Sequence, residues 1–412
     1  MKQLMILAVA MLYIGSLSWA ACPSADLTED NFVGLEDCAI IAKWWLDDCD
    51  IANDFCDGAD FDLSGQVTLD DLLTVVQEWL EGEGVEENAY MILLPGLTFQ
   101  MGDSFSEGGS SVLPVHPVTL SPFYMGRYEL TNQQYCDFLN SAYSQNLITI
   151  TSNVVYMAGS GKSYPYCDTY QSSTDSQINW DGSTFSVLTK SGRSMANDPM
   201  VMVSWYGAVA YCNWLSQQEG KPQCYNLSTW AYDPAVKGYH LPTEAQWEYA
   251  ARGGLSGKRF PWGDTINQTQ ANFVSRSLDF YDVSPVKNQN HPLWNDGVKP
   301  YTSPVGFFDH GFKYKSIYNW PGSATSYQTD NGGNGYGLYD MAGNVWELCQ
   351  DWYDSYSAGP QTNPTGPTTG TFRVLRGGSW SNNALQCRVA NRSYNTPAIR
   401  THLIGFRLSL DF

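Results

Sequence analysis

The sequence predicts an α+β fold of short strands, a few well-capped helices and long loops, preceded by a small all-α module. Three observations carry this. First, 37 glycines, 15 tryptophans and 26 tyrosines favour loops pinned by aromatic anchors over a helical bundle. Second, the C-terminal two thirds contains isolated helical and strand patterns without βαβ alternation. Third, an acidic loop followed by an amphipathic helix occurs twice between residues 22 and 83.

At 412 residues the chain exceeds one hydrophobic core, so at least two modules are expected. A net charge of -20 argues against nucleic-acid partners and suits hard cations, which take carboxylate and carbonyl oxygens. Lys2, the apolar run over residues 4–14 and Ser18-Trp19-Ala20 predict a cleaved signal peptide over residues 1–20. The product would be secreted, periplasmic or displayed at the cell surface. Acylation of Cys22 is an alternative that Trp19 disfavours. No later stretch reads as a transmembrane segment. In an exported chain, the ten cysteines are expected to form disulfides within each module.

The repeat places oxygen-bearing side chains at positions one, three, five and twelve of two loops. These are Asp26, Thr28, Asp30 and Asp37, then Asp60, Asp62, Ser64 and Asp71. That spacing wraps a calcium ion and hands the last ligand to a following helix. Gly65 supplies the sharp turn in the second loop; Asn31 stands in its place in the first. The tandem resembles a dockerin domain over residues 22–83, which implies Ca2+ and a cohesin-like protein partner. Residues 84–89 then form the linker to a domain spanning residues 90–412.

Within that domain, Pro95-Gly96 between apolar runs predicts a hairpin over residues 91–102. Thr131 caps a helix over residues 133–142, Ser204 one over residues 205–216, and Thr243 one that Gly253 stops. Residues 143–196 read as a long polar loop. Near the C-terminus, Arg376-Gly377-Gly378-Ser379-Trp380 through Gly405-Phe406-Arg407 gathers arginines, one cysteine and a Gly-Gly pair, and reads as an Arg- and Asn-lined cleft with an aromatic rim. The five histidines form no metal-binding pair, and no nucleophile elbow or phosphate loop occurs.

Several blocks taken in order are more specific: Tyr128-Glu129-Leu130-Thr131-Asn132, the Leu241–Gly254 helix, Phe260-Pro261-Trp262-Gly263, Asn334 to Glu347, Arg376 to Trp380, and Gly405-Phe406-Arg407. Together they resemble the formylglycine-generating enzyme family, also called sulfatase-modifying factor domains. The resemblance implies a C-type-lectin-related mixed fold with little regular secondary structure. It implies two calcium sites, one at Asn272, Phe273, Asp296 and Val298, the other at Asp340, Gly343, Val345 and Glu347. It further implies oxidation of a substrate cysteine to formylglycine by molecular oxygen at a Cu+ ion held by two cysteines. Ser379 is retained, but Asn382 stands where the first thiolate belongs, and Cys387 is the only cysteine of the segment. Soft thiolates select Cu+, and an amide does not. Cys387 is therefore a weak copper candidate and a better disulfide partner. The expected function is a calcium-stabilised binding or scaffold module for carbohydrate or protein, without oxidase activity. The alternatives are an active formylglycine-generating oxidase and a dockerin-anchored protein.

Overall fold

The computed structural model describes residues 91–411, which belong to a compact unit running Tyr90–Phe412. The predicted signal peptide, calcium-loop tandem and linker lie outside the described residues. Two four-stranded sheets organise the unit. The strands of these two sheets in chain order are β1 (Met91–Leu94), β2 (Phe123–Gly126), β3 (Tyr239–His240), β4 (Trp346–Trp352), β5 (Arg373–Arg376), β6 (Ser393–Asn395), β7 (Ile404–Gly405) and β8 (Ser409–Asp411). One sheet runs β1-β2-β8-β3 and is antiparallel throughout. The other runs β6-β5-β4-β7, with only the β4–β7 pair parallel. No helix among the described residues is long and apolar enough to cross a membrane.

The three capped helices form where the sequence places them: α1 (Asn132–Ser144), α2 (Trp205–Gln218) and α3 (Glu244–Arg252). Thr131 and Thr243 each close a capping box with the glutamine three residues on, which satisfies two end N–H groups reciprocally. Gly253 ends α3 in the left-handed conformation (φ 55°), with Asn334 Cβ so close that a methyl group there would clash. α1 and α2 bury Tyr135, Phe138, Trp205 and Tyr211 in one apolar cluster, while α3 buries Trp247 and Tyr249 in a second. Burying a ring such as Trp205 or Trp247 removes roughly 200 Å2 of surface from water, worth about 5 kcal/mol each.

Two expectations are corrected. The strands at Met91–Leu94 and Thr98–Met101 exist but do not pair with each other; the first joins β2 and the second joins His116–Thr119 in another sheet. Pro95-Gly96 acts as a corner, because a side chain at Gly96 would lie 2.6 Å from the Leu120 carbonyl oxygen. Residues 143–196 are also no loop. They fold into small antiparallel pairs, beginning with Ile148–Thr151 against Val154–Met157, turned by Ser152 and Asn153 at positive φ. Val154–Met157 and Pro165–Asp168 are buried at nearly every position, so these strands carry no period-2 alternation by which the sequence could mark them.

Candidate functional site

The C-terminal stretch begins where β5 ends. Gly377 and Gly378 both adopt positive φ (90° and 79°), turning the chain beneath Trp247 and over Cys387. A side chain on Gly378 would lie 2.8 Å from Cys387 Sγ, and one on Gly377 3.1 Å from the Trp247 ring. Only glycine meets both demands. Ser379 donates to the Asn382 side-chain oxygen at 2.5 Å, and the Asn382 carbonyl accepts from Val274 N at 2.8 Å.

The arginines are engaged with carboxylates of the fold. Arg376 forks onto Glu248 and the Asn391 carbonyl; Arg388 reaches Asp103 at 2.9 Å; Arg392 makes a two-pronged pair with Glu244 at 2.5 and 2.7 Å. Arg407 grips Glu347 with Nε at 2.6 Å and a second nitrogen at 2.7 Å, both side chains being fully buried. Arg400 pairs with Asp168. Each guanidinium is matched to an internal carboxylate, so these residues are struts, and Arg392 also lines a cavity.

The donor set does not fit a copper bis-thiolate. Asn382 offers an amide, and Cys387 is walled into an apolar cluster with Phe260, Phe273 and Tyr281. Burial, with Asp279 and Asp282 nearby, holds its thiol far above the ordinary range. The six described cysteines are all buried free thiols, where disulfides were expected. They fall in separate clusters: Cys136, Cys167, Cys212 and Cys224 in the first, Cys349 in the second, Cys387 in a third. Among the described residues, no group of three or more His, Cys, Asp or Glu is arranged to hold a metal ion.

The two calcium loops implied by resemblance differ in geometry. At the second, Asp340 is buried at φ 58° and accepts from Gly306 N at 2.6 Å. Gly343, at φ 88°, passes the Asn272 backbone so closely that a side chain would lie 2.4 Å from its carbonyl oxygen. Glu347 accepts from Arg407 and from Trp247 Nε1 at 2.7 Å. The residue missed by sequence reasoning here is Glu129, fully buried and holding Val345 N at 3.1 Å and Asn344 Nδ2 at 2.6 Å. Burial, then Asp340 and Glu347, raises the Glu129 carboxyl well above its ordinary value, and burial pushes Asp340 up to about 6. The signal in the sequence was a lone carboxylate between Tyr128 and Leu130, just before the Thr131 helix cap.

At the first loop the predicted residues divide. Asp296 and the Val298 carbonyl face the ammonium of Lys190, at 3.5 and 2.7 Å. Asn272 instead donates to the Tyr301 carbonyl at 2.8 Å, leaving its own side-chain oxygen buried without a partner, and the Phe273 carbonyl accepts from Gln268. Nothing in the sequence singled out Lys190.

A cavity of about 610 Å3 opens beside this loop, lined among others by Tyr170, Asp175, Gln177, Lys190, Val298 and Tyr301. It connects to the C-terminal stretch through packed rings. Tyr301 lies 4.8 Å from Trp380 between ring centroids, Trp380 lies 5.5 Å from His402, and His402 Nδ1 is 2.6 Å from Asp175. A second cavity, about 440 Å3, is lined by His116, Glu244, Asp351, Tyr356 and Arg392, among others. Burial, and then Glu244, pushes Asp351 up to about 7.

Comparison with known proteins agrees with this architecture. The sulfatase-modifying factor enzyme 1-like domain matches residues 76–412. A formylglycine-generating enzyme of Thermomonospora curvata is 33% identical over 337 residues, covering 78% of this chain and 93% of that protein. An inactive C-alpha-formylglycine-generating enzyme 2 of Bos taurus is 29% identical, covering 83% of this chain and 95% of its own length. Among solved structures, Treponema denticola variable protein 1 superposes with a TM-score of 0.50 at 23% identity, over 78% of this chain and 95% of that one. With a match spanning both sheets, all three capped helices and the C-terminal Gly-Gly turn, the chain belongs to the sulfatase-modifying factor enzyme 1-like family.

Proposed function

We propose that the chain is a binding or scaffold member of its family, without formylglycine-generating oxidase activity. The observation that carries this reading is Asn382 in place of a thiolate, with Cys387 buried in an apolar cluster and its thiol held up. Family relatives carry both active and inactive names, so membership alone does not choose between them. The ligand would be carbohydrate or a protein segment in the larger cavity. There the exposed Tyr170 and half-buried Tyr301 offer apolar ring faces, and Asp175 and Gln177 offer hydrogen-bonding groups.

Calcium is proposed at Asp340, Gly343, Val345 and Glu347, with Glu129 beside them. Asp340 and Glu347 are buried carboxyls in a turn with one guanidinium, that of Arg407, beside them, and carboxylate and backbone oxygens in such a turn are the donors a divalent cation takes. The N-terminal repeat would bind calcium as well and dock the exported protein onto a cohesin-like partner.

Titration of the full chain with Cu+, followed by incubation with a Cys-x-Pro-x-Arg peptide in air, tests the central point. No stoichiometric copper and no aldehyde are expected. One copper per chain together with aldehyde would establish the rival reading, an active oxidase, for which the 33% identity to a formylglycine-generating enzyme speaks. A glycan and peptide array read with the parent chain and Tyr301→Ala tests the cavity. Signal that survives the substitution would place the ligand elsewhere.

A further inference from the structure

Lys190 closes the two-residue strand Thr189–Lys190, which pairs with Arg193–Ser194 in a small hairpin. Its side chain is only 10% exposed, although lysine is ordinarily a solvent residue. Instead of reaching water it ends inside a distant loop, residues 296–300. Nζ donates to the Val298 carbonyl at 2.7 Å and to the Pro300 carbonyl, and lies 3.5 Å from Asp296 Oδ1. Asp296 is held in this attitude by Ser191 Oγ on one oxygen at 2.7 Å and Val298 N on the other at 3.0 Å. The hairpin delivers a second cation to the same stretch. Arg193 pairs with Asp198, and it donates to the Thr302 carbonyl at 3.3 Å while lying 5.0 Å from the Trp294 ring centroid.

Two carbonyls and one carboxylate converging on one point in the cavity wall form the kind of oxygen cage that a hard cation occupies. An ammonium has three donors, no acceptor and a full positive charge, so one tethered lysine satisfies such a cage from within the chain. With Lys190 in place, a divalent ion could enter only by displacing it and setting two positive charges in contact.

We propose that Lys190 supplies the cation of the Asp296–Pro300 cage, so that this wall of the larger cavity is held without a metal. The wall comprises Gly297, Val298, Lys299 and Tyr301. The sequence resemblance assigns calcium to Asp296 and Val298; in this chain a side chain takes its place, and Asn272 and Phe273 are engaged elsewhere. The proposal holds whether or not the cavity takes a carbohydrate or protein ligand.

Hydrogen–deuterium exchange on the full chain tests it locus by locus, which separates this loop from any calcium bound elsewhere. In the parent chain, peptides covering residues 189–194 and 296–302 are expected to exchange equally fast in calcium and in excess chelator. In Lys190→Met with chelator, the same peptides are expected to exchange at least about tenfold faster, because the cage loses its cation while its oxygens remain. Calcium added to that variant is expected to restore protection, since the emptied cage keeps a carboxylate and two carbonyls. Faster exchange of the parent loop on chelation would overturn the proposal, because a metal would then be holding the cage. Unchanged exchange in Lys190→Met, or failure of calcium to slow it, would overturn it too. The parent arm needs no variant, so the proposal stays testable if Lys190→Met does not fold. Lys190→Arg, which keeps the charge but not the point-like geometry, is expected to fall between the two.

Discussion

The loops at residues 296–302 and 340–347 solve one problem in two ways. Both bury carboxylate in a glycine-containing turn. In the first, Asp296 meets one flexible ammonium, and charge is balanced one to one within the cage. In the second, Glu347 meets the rigid fork of Arg407 and an indole N–H, while Glu129 and Asp340 feel that guanidinium only through space and make no ion pair with it. Three buried carboxyls there face one guanidinium, and burial favours the protonated form of the two that it does not grip. A buried carboxylate needs a partner, a proton or a metal, and the three options are in competition. The first loop is thus self-sufficient, and the second is where metal dependence is expected.

The largest effect should come from breaking the second loop's own cation. Arg407→Met leaves Glu347 buried and unpaired beside two further carboxyls and is expected to cost about 4 kcal/mol in urea unfolding. If calcium recovers much of that loss, the loop accepts a metal in place of the guanidinium; a cost below about 1 kcal/mol would mean that the pair is not what holds the loop. Next in size, Gly343→Ala must place a methyl group 2.4 Å from the Asn272 carbonyl at φ 88°, and is expected to cost about 3 kcal/mol. The corresponding change at Gly297, whose surroundings are open, bears only the conformational cost, about 1 kcal/mol. Equal losses at the two glycines would break the distinction between a crowded and an open loop.

Asp351 extends the comparison to a carboxyl that no guanidinium grips; its one hydrogen bond comes from Glu244 N. Its pKa is pushed up to about 7, above the 3.8 expected in an unfolded chain. The folded state therefore keeps a proton that the unfolded state releases. That contribution is fully present below about pH 4 and is lost as pH rises to about 7. Between pH 5 and 8 the parent chain should lose about 2 kcal/mol relative to Asp351→Asn, read as the difference between their unfolding free energies. His291 pulls the other way: burial lowers it to about 3, so its contribution is present above about pH 6.5 and fades as pH falls. It is common to both chains and cancels in the difference. A small effect, about 1–2 kcal/mol, is expected for Lys190→Met, because its cage lies near the surface and Asp296 keeps Ser191 as a partner.

Local signals in the sequence were reliable wherever the physics was local. Thr131, Ser204, Thr243 and Gly253 mark helix ends, and the helices begin and stop at or next to them, because capping is settled within a few residues. The ordered blocks from Tyr128 to Arg407 gave the family before any fold was visible. Pairing was less legible. Pro95-Gly96 promised a hairpin, yet its two strands went to different sheets, since strand partners are chosen by distant burial. Residues 143–196 looked like a polar loop because their strands are only two to four residues long and lack a period-2 alternation.

For the site, the missing thiolate at position 382 was readable directly, because a residue's chemistry is written in its identity. So were the carboxylates at Asp296, Asp340 and Glu347. Which cation each one meets was not. Lys190 stands 106 positions before Asp296, and Arg407 stands 60 after Glu347, and only the folded chain brings them together. Donor types, helix ends and glycine turns are short-range properties that composition and spacing express. The partner of a buried charge depends on which distant segment supplies the counter-charge once water is removed, and that is decided by tertiary packing.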